Sequence, residues 1–150
     1  MGIDRIELAK KPDKFQMQGA RIWLPLDVLQ GAAYTTLKPT AKALLLDLAA
    51  QLRGSKKGII NNGDLTTAMK VLYKFGWKSD KTIRTASKEL ESKKLIVKTR
   101  QGHLPNTANL YAVTWLPLNE DSKLDISARG FPFNGYKLLD KPPMIKNLNT

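Results

Sequence analysis

Lys81, Arg84, Thr85 and Lys88 recur at helical spacing, and at 100° per residue they fall within an arc of about 100°. Three cations and a hydroxyl on one side of a helix share one chemistry, the binding of an anion. Ammonium and guanidinium groups pair with phosphate oxygens, and arginine and threonine also reach the edges of bases. Ile83, Ala86 and Leu90 cluster on the opposite side, so one face of the segment packs while the other meets solvent or ligand. Lys78, Ser79 and Thr82 extend the polar set at its start, where Ser79 is placed to cap the helix.

Few other residues are equipped for chemistry. The chain has no cysteine and one histidine, His103, which removes disulfides, thiol catalysis, cysteine-based zinc sites and histidine clusters. Catalysis would rest on carboxylates or lysines, and Asp27, Asp47, Asp64 and Asp80 lack the paired spacing that holds a catalytic metal. Neither an enzyme nor a cofactor or metal is expected. Trp77 and Trp115 are conceivable platforms for single-stranded bases. One sits in a turn and the other on the inward alternation of a strand, so both read as core.

The formal net charge is +12 and the isoelectric point about 10.0, a balance that favours a polyanionic partner through counterion release. Eight basic residues stand against three acidic ones between Lys78 and Arg100, but only five against four after Trp115. Charge is concentrated on the candidate reading elements. Lys10, Lys11, Lys14, Lys56 and Lys57 are generic phosphate candidates.

These residues need elements to position them. Residues 95–101 and 109–115 alternate with strand period around Gly102, His103, Leu104, Pro105 and Asn106, which predicts a β-hairpin directly after the basic helix. Tyr111, Val113 and Trp115 share a face directed at the helices. Lys98, Arg100, Gln101, His103, Asn106 and Asn109 lie at or near the hairpin loop, placed to track phosphates or enter a minor groove. Upstream, Leu37, Ala41, Leu44, Leu45, Leu48, Ala49 and Leu52 predict the main core helix, with Pro39 in its first turn and Gly54 at its end. A short edge strand is expected over 22–26, a short helix over 27–34 and a minimal strand at Ile59 and Ile60. Asp64 is expected to cap a helix carrying Leu65, Ala68, Met69 and Leu72, broken at Gly76 and Trp77.

The fold class is therefore α+β, a winged helix-turn-helix with a three-helix core and a C-terminal β-hairpin wing, plus irregular N- and C-terminal extensions. Residues 1–21 read as a flexible basic arm, 22–117 as the domain and 118–150 as an extension with scattered anchors at Phe131, Phe133, Tyr136, Leu138 and Leu139. No run approaches a membrane span and no secretory signal is evident, so a cytoplasmic protein is expected.

The segments 61–65, 76–79, 89–90, 95–96, 99–102 and 110–115 resemble winged-helix proteins of bacterial phages, plasmids and mobile elements, some of them replication-initiator-like. The resemblance covers about residues 22 to 117. It implies duplex DNA binding through the second helix of the motif with the hairpin as wing, in replication initiation or its control, or alternatively in transcriptional repression. Replication or transcription proteins and a second copy of the chain are further expected partners, and association with the nucleoid follows. A winged helix used as a protein adaptor, docking through the aromatic tail, is the rival class.

Overall fold

The computed structural model describes residues 19–103 and 107–140. Most of the basic arm, Asn106 and the last ten residues lie outside them. Residues 20–25 form no strand. Pro25 has no N–H to offer a ladder, and its carbonyl instead accepts from Val28 and Leu29, starting helix α1 (Leu26–Gln30). The single short helix expected here is two, α1 and α2 (Ala32–Thr35), separated at Gly31.

Helix α3 (Pro39–Ala49) forms where the leucine spacing places it, with Pro39 at its first turn, but it stops at Ala49 rather than at Gly54, which belongs to a strand. Ala41, Leu44, Leu45, Leu48 and Ala49 are buried along one side. A two-residue ribbon of β1 (Gly54–Ser55) and β2 (Gly58–Ile59) follows. Then come β3 (Leu65–Thr66), α4 (Met69–Leu72) with a 3-10 turn (Tyr73–Phe75), α5 (Asp80–Ser92), β4 (Ile96–Arg100) and β5 (Leu110–Val113). The three longer-range strands make one antiparallel sheet in the order β3-β5-β4, with Leu65 opposite Tyr111 and Ile96 opposite Val113. The class is α+β, with helices and small antiparallel sheets in an order consistent with a winged-helix-like arrangement.

The start of α4 corrects the expectation for Asp64. Leu65 and Thr66 are a strand, and the helix begins only after Ala68, with no side-chain cap. Asp64 pairs instead with Lys123 at 3.0 Å. Both Leu65 and Leu72 are fully buried, so a strand followed by a helix meets the same burial demand as one continuous helix. The free edge of β5 supplies the hydrogen bonds that favour the strand.

Two apolar clusters lie on the two faces of the sheet. Ile96, Tyr111, Val113 and Trp115 join α3 and α5 in the main core, the face expected for the aromatic residues. On the other face Ala112 meets Leu118 and Phe131, with Val97, Leu124 and Ile126 packed around them. The chain after Leu118 thus covers the outer side of the sheet and then returns to the helices. There Tyr136 enters the main core and donates to Asp27 Oδ2 at 3.2 Å, while Asp140 Oδ1 accepts the Ala32 N–H at the start of α2. Phe133 and Leu138, two of the anticipated anchors, are exposed.

Asn62 locks this arrangement. Its fully buried side chain accepts from the Val113 N–H and places its amide nitrogen 3.0–3.1 Å from the carbonyls of Val113, Leu116 and Pro117. Asn119 accepts from the Asn62 N–H and donates its own backbone N–H back to the Asn62 carbonyl. Among the described residues no helix is long and apolar enough to cross a membrane.

Candidate nucleic-acid interface

Gly76 closes the turn after α4 in the left-handed region, φ 93°, a conformation that costs glycine nothing. The Trp77 N–H then reaches back to Leu72, and its indole N–H donates to Asp47 on α3 at 2.6 Å. This fixes the angle at which α5 leaves the turn. Ser79 is the N-cap as expected, its hydroxyl accepting from the Thr82 N–H at 3.3 Å.

Helix α5 packs on α3, with Ile83, Ala86 and Leu90 in the main core and Ser87 also buried. Fully burying Ile83 and Leu90 contributes about 1.5–3 kcal/mol each, enough to set the rotation of the helix about its axis. A further restraint comes from Glu89, whose Oε1 accepts the Lys38 N–H at 2.9 Å at the start of α3. With that face committed, Lys81, Thr82, Arg84, Thr85 and Lys88 are exposed, as are Lys78 and Ser79 before them. Lys81, Arg84 and Lys88 have no ion-pair partner among the described residues. Thr85 turns its hydroxyl proton to the Lys81 carbonyl and keeps its lone pairs available as acceptors. The helix ends in a left-handed residue, Lys94 at φ 57°, and the Leu95 N–H returns to the Leu90 carbonyl, sending the chain directly into β4.

The hairpin candidates divide differently. Arg100 is half-buried, donates to the Ala108 carbonyl at 3.0 Å and buries its Nε without a partner. Asn109 accepts the Gly102 N–H at 2.6 Å, and Lys98 reaches Gln101 Oε1 at 3.2 Å. The Gln101 N–H donates to Asp125, a residue of the covering segment, whose own N–H returns to Thr99. A Cβ at Gly102 would collide with the backbone of Thr107 and Ala108, so the strands close tightly at the base of the loop. Gln101 and His103 remain exposed, and Asn106 falls outside the described residues.

Two candidates escaped the sequence reading. Lys70 and Lys74 are exposed on α4 and its 3-10 turn. With Lys78 they are the only charges between Asp64 and Asp80, a local excess that could have marked them. Tyr111, beneath this region, has its phenol pushed up by burial and by the Glu91 carboxylate, against hydrogen bonds from Asn109, Ser87 and Thr67 that lower it. It is a neutral packing group. Among the described residues no three acidic or histidine side chains gather where a metal ion would sit. In comparisons with protein-family models, curated proteins and solved structures, nothing matches this chain.

Proposed function

We propose that the protein is a winged helix-turn-helix that binds duplex DNA, laying the Lys81, Arg84, Thr85 and Lys88 face of α5 in the major groove. The observation that carries the reading is the pairing of a fully committed apolar face with an opposite face whose cations are exposed and without ion-pair partners among the described residues. A helix of 13 residues spans about 20 Å, ample for one groove crossing. The succession of α3, β3, α4, α5, β4 and β5, with β5 central in the sheet, supports the wing assignment. Phosphate attraction supplies sequence-independent affinity, and Arg84 and Thr85 are the residue types that read guanine and thymine edges.

Selection from a random duplex library tests this reading, with Arg84→Ala and Lys88→Ala run beside the parent chain. The expected result is a defined motif that changes when a base-reading side chain is removed, at a cost of roughly 1–3 kcal/mol, whereas removing a phosphate-binding side chain weakens all sites alike. Failure to enrich any duplex, or an unchanged motif and affinity in both variants, would reject it. Mapping the enriched motif to origins or promoters separates a role in replication from one in repression.

A further inference from the structure

Away from the α5 face, residues 21–25, the end of α3, the β1–β2 ribbon and Trp115 enclose a cleft of about 570 Å³. That volume is typical of sites for small organic molecules. Its walls are chiefly apolar, with Leu24, Leu52, Ile59 and two indoles, Trp23 and Trp115. Trp115 is buried, whereas Trp23 keeps 73% of its surface exposed and Ile22 beside it 40%. These exposed side chains beside a concavity offer apolar contact to a ligand body.

Among the described residues, the one charged side chain that lines the cleft is cationic. Arg21 lines it, with its guanidinium 5.9 Å from the Trp23 ring centre. Lys56 and Lys57 are exposed between Ser55 and Gly58, two residues of the wall, and Arg53 precedes them. Neither residues 19–26 nor 49–60 contain an aspartate or glutamate. Apolar walls accept a ring or short hydrocarbon body, and a cationic rim favours an anionic head on the same molecule.

We infer that this cleft binds a small amphiphilic organic anion, with its apolar body between the two indoles and its acidic group toward the Lys56–Lys57 turn. The inference does not depend on DNA binding, because no residue of α5 lines the cleft.

The test titrates the full chain with 8-anilinonaphthalene-1-sulfonate and, separately, with the uncharged N-phenyl-1-naphthylamine, following energy transfer from tryptophan and heat of binding. Saturable one-to-one binding of the sulfonate is expected, tighter than that of the uncharged ring system. Trp23→Ala, at an exposed position, should weaken the sulfonate about tenfold by removing a wall. The double variant Lys56→Gln, Lys57→Gln should weaken it about threefold and leave the uncharged probe unchanged. Absence of saturable binding, equal binding of both probes, indifference to Trp23→Ala, or displacement of the sulfonate by a short DNA duplex would each overturn the proposal. The first three of these results leave the α5 reading untouched, and duplex selection with the Arg84 and Lys88 variants reports on α5 alone, so the two readings fail separately.

Discussion

Helix α5 and the β4–β5 hairpin carry similar sets of polar residues, yet the fold engages them differently. On α5 every cation of the stripe is exposed and none pairs with a carboxylate among the described residues. In the hairpin, Arg100, Asn109 and Lys98 are bonded to the loop's own backbone and side chains, and Asp125 takes the Gln101 N–H. The difference follows from local geometry. A helix satisfies its backbone internally and leaves its side chains free, whereas a tight hairpin ends in unpaired N–H and C=O groups that capture nearby polar side chains. A polar residue on a helix surface is thus a better candidate for ligand binding than the same residue at a loop base.

The harshest challenge to this contrast is Asn62→Ala, which strips the buried amide from Val113 N–H and from three carbonyls around the exit of β5. It should cost about 3 kcal/mol of stability in urea unfolding, since stranded buried partners bear the full desolvation penalty. Limited proteolysis should then cut the hairpin while α5 stays protected. Next in size, Arg84→Ala with Lys88→Ala should lower affinity for the selected duplex by about 2 kcal/mol and change unfolding free energy by no more than about 0.5 kcal/mol. Asn109→Ala should do the reverse, losing about 1 kcal/mol of stability with a smaller effect on the duplex. If Asn109→Ala instead abolished binding in a protein of unchanged stability, the hairpin would be a reading element and the contrast would fail.

The smallest expected effect concerns the covering segment. Burial first, and then Asp27 beside it, push the Tyr136 phenol up from 10.0 to about 12. Below pH 10 both folded and unfolded chains hold the phenol proton, so the group adds no pH dependence. Between about pH 10 and 12 the unfolded chain releases it first, and stability falls as pH rises. Melting temperatures at pH 9 and pH 11 should therefore drop less for Tyr136→Phe than for the parent. An equal drop would separate the docking of this segment from Tyr136.

What the residues alone determine are the features that depend on neighbours close in sequence. The leucine spacing and Pro39 specify α3, Ser79 caps α5, Gly76 ends the preceding turn, and the exposed stripe of α5 follows from its period. Tertiary structure decided the rest, because there the competing conformations differ only through partners distant in the chain. Leu65 and Thr66 are a strand because β5 offers them an edge, although their spacing to Leu72 suits a helix equally well. Phe131 and Tyr136 are buried while Phe133 and Leu138 are not, a choice made by the faces of the sheet and helices that await them. Arg100 and Asn109 point toward phosphate in a reading of charge and polarity, and only the closed hairpin shows that each also bonds a backbone group within 3.0 Å.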